Sequence, residues 1–444
     1  MEPAEESKVS GGEPDLRVAV IGNVDSGKST LVGVLTRCVM DDGRGSARSL
    51  VFNFSHEQAN GRTSSIGHEI MGFRPDGSQV APERITESKN KTWSHIVENS
   101  NRVLTFLDLC GHERYLKTTI FGLVGLMPDY AMIVIGANMG LTRMTKEHIG
   151  LALALKVPMF FVITKVDIAP ENVYSQNLET LQKILRSPSA GSRMPLVVDQ
   201  DTEFQDIQHL METKVSPIFS VSNVTGEGLD KLRLFLHGLE PRATTSGVFG
   251  SPEDPVEFLI DGVYMVTGVG IVISGILKSG TVQVNSNLML GPEKNGNYRQ
   301  VTVRSIHMKR TPVDVAVAGQ SVCFNVRASN KKDQIKRNSI RKGMVMVDRN
   351  LMPQTAWEFD AEVVILHHAT TIRKNYQPII HCGVVRQAAK VLDMTKELLR
   401  TGDKGLIRFK FMYNPELVHP GMTILFREGR TKGLGAISKV YPAK

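Results

Sequence analysis

The chain has 444 residues, room for about three domains, and its 41% apolar and 22% charged content excludes a disordered or fibrous protein. Charge is split along it: residues 1–239 hold 24 basic and 28 acidic residues, whereas residues 240–444 hold 29 and 17. Four scattered cysteines, with no C-x-x-C pair, exclude a disulfide scaffold and a sequence-evident zinc site.

No run of about 20 apolar residues occurs, and the N-terminus has no hydrophobic signal core, so a cytoplasmic protein without a membrane partner is expected. Residues 1–14 are acidic and aperiodic and read as a disordered tail. From Arg17 onward, short β-branched runs alternate with helical segments, the pattern of a mostly parallel sheet with helices on both faces. Strands are predicted at Arg17–Gly22, Val103–Asp108, Tyr130–Gly136, Met159–Thr164 and Pro217–Val221. Helices are predicted at Lys28–Cys38, Thr145–Leu155, Val173–Leu185 and Gly228–His237. Residues 187–213, rich in Ser, Pro, Gly and Asp, read as an inserted surface loop.

This α/β domain is expected to span residues 15–239, with a Pro/Ser/Thr/Gly-rich linker at 240–254. The periodicity then changes to short alternating strands with regular Gly turns, as in Val263–Gly275, which predicts two closed β-barrels at 255–351 and 352–444. The basic second half is a reasonable footprint for a polyanion such as RNA. His367 and His368, with His381 and Cys382, invite a metal reading, but adjacent strand residues face opposite ways.

The first strand runs directly into Gly22-Asn-Val-Asp-Ser-Gly27-Lys28-Ser29 and a helix, the G-x-x-x-x-G-K-[ST] pattern in its strand–helix context. Backbone N–H groups of Asn23, Val24, Asp25, Ser26, Gly27 and Thr30 are expected around the phosphates. Lys28 supplies a charge to the β- and γ-phosphates, and the Ser29 hydroxyl ligates Mg2+. Asp108-Leu-Cys-Gly111-His112 closes the second predicted strand; its carboxylate can reach the metal through a water and the Gly111 N–H can meet the γ-phosphate. Thr63, in Gly61-Arg-Thr-Ser64, offers a further hydroxyl to the metal. Thr164-Lys165-Val-Asp167 selects the base: the Asp167 carboxylate can accept both guanine donors, which adenine lacks, and the Lys165 stem can lie along the base plane. Ser222-Asn223-Val224 can present a backbone N–H to the guanine oxygen. Together these residues predict GTP and GDP as substrate and product.

These motifs, with Asp42-Gly-Arg-Gly45, Ile340–Val347 and Phe426–Lys432, resemble the translational GTPases, in the elongation factor Tu/1-alpha branch and nearest the GTP-binding protein 1/2 family. The resemblance implies a P-loop GTPase domain followed by two β-barrels and a monomeric switch in translation or mRNA surveillance. It implies His112 as the residue that positions or activates the attacking water, and Asp25 as a ligand to a monovalent cation. The implied partners are the ribosome and aminoacyl-tRNA. A different reading is a GTP-dependent adaptor recruiting RNA-decay machinery, with hydrolysis only resetting it.

Three positions depart from the family pattern. Arg62 stands where an apolar residue usually precedes the metal threonine. Thr164 replaces the commoner Asn, losing an amide that braces the P-loop. Gly262 replaces the second of two acids in Ile260-Asp261-Gly262-Val263-Tyr264, which leaves aminoacyl-tRNA binding open.

Overall fold

A computed structural model of the chain describes residues 14–442 except 86, 205, 243–246, 331–334, 352 and 429–430. All but the last residue of the expected tail, part of the expected linker and two residues of the 426–432 motif therefore lie outside the described residues. The chain divides into two compact units, one formed by Asp15–Leu123 with Met127–Thr245 and the other comprising mainly Ser246–Lys444.

The first unit is an eight-stranded sheet flanked by helices. In chain order it runs β1 (Leu16–Gly22), α1 (Lys28–Arg37), α2 (Ser46–Ser49), α3 (Ser55–Asn60), β2 (Gly67–Phe73), β3 (Gln79–Val80), α4 (Lys89–Asn99) and β4 (Arg102–Asp108). It continues with α5 (Leu116–Gly125), β5 (Tyr130–Gly136), α6 (Arg143–Ala154), β6 (Met159–Thr164) and α7 (Glu171–Arg186). The unit closes with β7 (Met194–Val198), α8 (Ile207–Glu212), β8 (Val215–Ser220) and α9 (Leu229–His237). The strand order is β3-β2-β4-β1-β5-β6-β8-β7, parallel throughout except for β2 and β3.

Every residue of β1 and β5 is buried, as expected for central strands covered on both faces. One face packs Val18, Val20, Phe106 and Met132 against Leu31, Val32 and Leu35 of α1; Phe160 and Phe219 of the sheet interlock with Phe235 of α9. The chain leaves β1 on one side for β2–β4 and on the other for β5–β8. The crevice at the carboxyl end of β1 is therefore the switch point of the topology, where open α/β sheets bind ligands.

Residues 187–213 are a correction to the loop reading. They contain β7, which pairs in parallel with β8 at the sheet edge, and α8, whose N-cap Asp206 accepts from the His209 N–H at 2.8 Å. α2, α3, β2, β3, α4 and α5 are further elements absent from the sequence reading.

In the second unit, the first barrel is built from β9 (Glu257–Val266), β10 (Gly270–Ser279), β11 (Thr281–Gln283), β12 (Asn287–Gly291) and β13 (Arg299–Met308). It is completed by β14 (Thr311–Val313), β15 (Val315–Val317), β16 (Ser321–Ala328) and β17 (Val345–Asp348). The run β12-β17-β9-β10-β16-β13 closes on itself through β12–β13 pairing, and β11 and β15 form a side ribbon. The second barrel uses β18 (Ala356–His367), β19 (Ile379–Cys382), β20 (Val385–Met394), β21 (Lys404–Phe411), β22 (Thr423–Glu428) and β23 (Thr431–Pro442), closed in the order β18-β21-β20-β19-β22-β23. Both barrels are antiparallel, with alternate residues such as Phe258, Ile260, Ile271 and Ile273 turned into the core. Arg341, which precedes β17, clasps the buried carboxylate of Glu416 in the second barrel through two bonds of 2.9 Å. Among the described residues, no helix is long and apolar enough to cross a membrane, and no three His, Cys, Asp or Glu side chains are grouped to hold a metal.

Candidate functional site: a phosphate and metal cleft at the end of the first strand

The turn from β1 into α1 folds tightly on itself. The Asn23 carbonyl accepts from the Lys28 ammonium at 2.7 Å and from the Ser26 hydroxyl at 2.9 Å. Asp25 sits at φ 59°, exposed at the loop's outer edge. The wall of the resulting cleft is formed by Val24, Asp25 and Gly27–Thr30. Gly61, Arg62 and Thr63 close it from the segment after α3, and Gly111 and His112 close it from the end of β4.

Three oxygens meet inside. The Ser29 hydroxyl lies 2.8 Å from that of Thr63 and donates to Asp108 Oδ2 at 2.6 Å, while Asp108 Oδ1 is buried with no hydrogen-bond partner among the described residues. A buried carboxylate oxygen left unpaired is costly unless a ligand satisfies it. Two hydroxyls and a carboxylate form a hard, all-oxygen donor set of the kind Mg2+ takes. The residues present therefore fit that ion.

The electrostatics point the same way. Burial pulls the Lys28 ammonium below its usual range, against the opposing pull of Asp108. Burial likewise pushes the Asp108 carboxyl up to about 6, although Lys28 and the Ser29 hydrogen bond work against it. Each charge is desolvated more than the other can offset, so the cation is suited to an anionic ligand and the anion to a cationic one.

Gly111 is required by close approach. A β-carbon there would lie 2.5 Å from the Lys28 ammonium and 2.7 Å from the Gly22 carbonyl, so any side chain would displace the lysine. His112 is exposed and caps a short 3-10 turn, its Nδ1 accepting from the Arg114 N–H at 3.0 Å. A neutral imidazole that accepts at Nδ1 carries its proton on Nε2 and can only donate from that atom.

The predicted base residues line a different stretch, at the carboxyl ends of the adjacent strands β6 and β8. Thr164 is buried, Lys165 adopts φ 63° and Asp167 is exposed. Ser222 holds its own turn, accepting from the N–H groups of Val224 at 3.2 Å and Thr225 at 3.1 Å, so within the Ser222-Asn223-Val224 segment the Val224 N–H is already engaged. One bond ties this end to the P-loop, the Thr164 Oγ1 donating to the Ser26 carbonyl at 2.7 Å; another joins it to the turn after α1, where the Asp41 N–H donates to the Asn223 carbonyl at 2.8 Å.

The family model described as the elongation factor Tu GTP binding domain matches residues 13–242, and that of elongation factor Tu domain 2 matches residues 270–347. The chain belongs to the elongation factor Tu family of GTP-binding proteins. Over 96% of its length it is 46% identical to GTP-binding protein 1 of Xenopus laevis and 42% identical to GTP-binding protein 2 of Homo sapiens. It spans 63% of the length of the first relative and 69% of the second. A solved structure of the bacterial selenocysteine-specific elongation factor EF-Sec shares its fold, with a TM-score of 0.67 at 20% identity over 97% of this chain and 59% of that one.

Within this elongation factor Tu-type frame, two of the departures acquire a physical description. The Thr164 hydroxyl braces the P-loop through Ser26 where an amide was expected to be lost. In the first barrel the single acid, Asp261, accepts a hydrogen bond from Ser274, whose hydroxyl a β-carbon on residue 262 would clash with.

Sequence reasoning missed Glu57. Its buried carboxylate accepts from the Ser64 N–H at 2.8 Å, the Ser65 N–H at 3.1 Å and both serine hydroxyls at 3.0 Å, stapling the loop that presents Thr63. Burial works to raise its pKa, yet these hydrogen bonds prevail and hold it below the usual range. No local sequence signal marks this role, because the partners lie seven and eight residues away across a turn. Arg48 was missed as well; it lines the cleft together with Gly61, Arg62 and Thr63.

Proposed function

We propose that this chain binds Mg2+·GTP and hydrolyses it to GDP and phosphate, working as a switch on the translating ribosome. The carrying observation is the cluster of Ser29, Thr63 and Asp108 oxygens within a cleft that also holds Lys28, Gly111 and His112. Residues 23–30 and Gly111 are assigned to the phosphates; Thr164, Lys165, Asp167 and Ser222–Val224 are assigned to guanine. Magnesium, held by Ser29, Thr63 and, through a water, Asp108, would neutralise phosphate charge; Asp25 is assigned to a monovalent cation.

In the hydrolysis, a water oxygen bonds to the γ-phosphorus as the bond to the β-phosphate oxygen breaks, and the water's protons pass to phosphate and solvent. His112 donates from Nε2 to the water oxygen and so aims it; the Arg114 N–H holds the ring in that tautomer. Thr63 and Gly111 belong to segments that rearrange when the γ-phosphate leaves, which gives the switch its two states.

The family relationship and the elongation factor named among the solved structures support a translational setting with the ribosome and aminoacyl-tRNA as partners. The deciding experiment is GTP turnover with and without ribosomes and charged tRNA. Stimulation by at least tenfold is expected. Measurable turnover that ribosomes leave unchanged would instead support a GTP-dependent adaptor for RNA-decay machinery.

A further inference from the structure

Arg48 is a half-buried cation in the cleft, with no ion pair and no side-chain hydrogen bond among the described residues. Desolvating a guanidinium without an acceptor is unfavourable, and the surrounding chain is nevertheless built to keep it there. Asp41 Oδ2 accepts from the N–H groups of Gly43 at 3.0 Å and Gly45 at 3.1 Å, and its Oδ1 accepts from the Ala47 N–H at 3.0 Å. Asp42 Oδ1 adds bonds from Arg44 at 2.9 Å and Ser46 at 3.1 Å. These bonds fix α2, the short helix that carries Arg48.

Two glycines admit the guanidinium. At Gly45 a β-carbon would overlap its Nε, and at Gly61 one would lie 3.1 Å from a terminal nitrogen. Gly61 stands two residues before Thr63, so Arg48 enters the cleft beside the segment that presents Thr63. The Asp42-Gly-Arg-Gly45 motif, which the nucleotide reading left without a task, thereby acquires one: it builds the turn that holds an arginine in the cleft.

We propose that Arg48 is a ligand of the γ-phosphate, supplied from within the chain. This rests on the GTP reading of the cleft. A guanidinium presents paired N–H donors that match two phosphate oxygens, and an anion there supplies the acceptors that the protein withholds. Lys28 backs the phosphates from the P-loop; Arg48 engages them from beside Gly61, in the segment expected to respond to the terminal phosphate.

The test is calorimetric titration of the purified chain with Mg2+ and either GDP or a non-hydrolysable GTP analogue. The variants are Arg48→Gln, Arg48→Lys and Lys28→Ala. Loss of one charge-assisted contact predicts that Arg48→Gln weakens the triphosphate by roughly tenfold or more, leaves GDP within about twofold and is partly rescued by Arg48→Lys. Equal losses for both nucleotides, or none for either, overturn the assignment; an arginine that serves only to contact a nucleic-acid backbone would give the second result. If Lys28→Ala binds both nucleotides normally, the cleft reading itself fails. If Lys28→Ala abolishes binding while Arg48→Gln is neutral, only the Arg48 assignment fails.

Discussion

The Thr164 hydroxyl donates to the Ser26 carbonyl at 2.7 Å, joining the loop assigned to guanine to the P-loop across 138 residues of sequence. Both residues are buried, and the Ser26 carbonyl faces Thr164 directly behind Gly27. Thr164→Val preserves the shape and deletes the donor, leaving a buried carbonyl with one partner fewer at a cost of about 1–3 kcal/mol. Affinity for GDP and GTP is therefore expected to fall together, by roughly five- to 100-fold, because the P-loop serves both nucleotides. Titration with each nucleotide checks this; an effect on GTP alone would show that the bond senses the terminal phosphate instead.

Asp167 tests the base assignment. Guanine offers two donors to a carboxylate, whereas xanthine places a carbonyl where guanine has its amino group. Asp167→Asn supplies an amide that can donate to that carbonyl, so preference is expected to move from GTP to xanthosine triphosphate. The loss in GTP affinity is expected to be roughly 100-fold or more, as for a site whose hydrogen-bonding groups are mismatched. Competition between the two nucleotides for the same site measures it, and retained strong preference for GTP would remove Asp167 from the base site.

Glu57 governs the loop that carries Thr63. Glu57→Ala removes the acceptor for two N–H groups and two hydroxyls, so Thr63 is expected to lose its place beside Ser29. Binding of the Mg2+–triphosphate complex should weaken by roughly tenfold, and GDP should be affected much less. The pH dependence has a definite sign. Because the folded-state carboxyl is held below its usual range, its contribution is complete above the ordinary glutamate pKa of about 4.3 and is lost as pH falls through the lower folded value. The protection of the Ser64 and Ser65 amides against hydrogen exchange, taken relative to the intrinsic rate at each pH, should therefore fall in acid in the parent protein, whereas in Glu57→Ala it should be low at every pH.

Legibility in the sequence followed burial. β5 and β6 could be read to the residue because Tyr130–Gly136 and Met159–Thr164 are buried along their whole length and therefore uniformly apolar or small. β7 was hidden because Met194–Val198 lies at the sheet edge, with Met194 65% exposed, so no face-specific pattern marks it. β2 was hidden for a different reason: its buried Glu69 breaks the apolar run, and its partners, Arg37 at 3.2 Å and Lys89 at 2.6 Å, come from α1 and α4. The same division holds at the site. Lys28, Ser29 and Asp108 sit in local motifs, whereas Glu57 and Arg48 acquire their places only when the chain between α1 and β2 has folded over the P-loop.

His112 offers the clearest separation of chemistry from binding. Its side chain borders the cleft beside Gly111 but is exposed; among the described residues its one side-chain hydrogen bond is accepted from the Arg114 N–H, with an edge-on contact to Tyr115. Removing it disturbs neither the P-loop bonds nor the Ser29–Thr63–Asp108 cluster. A group that acts on the attacking water alone contributes to the transition state and not to ground-state affinity. His112→Ala is thus expected to bind GTP and GDP within a few-fold of the parent protein. Ribosome-stimulated hydrolysis should fall by roughly 100-fold or more, the usual span for a positioning or acid–base group. His112→Gln can still donate to a water but cannot take its proton, so partial retention of rate would mark orientation as the dominant role. Arg62, exposed in the same cleft, can steer either the water or the imidazole. Combining Arg62→Ala with His112→Ala tells these apart: additive losses mean that the two act independently, and a double variant no slower than His112→Ala alone means that Arg62 works through the histidine. Hydrolysis by His112→Ala at the parent rate under ribosome stimulation would remove the residue from catalysis and leave it a cap on the turn after β4.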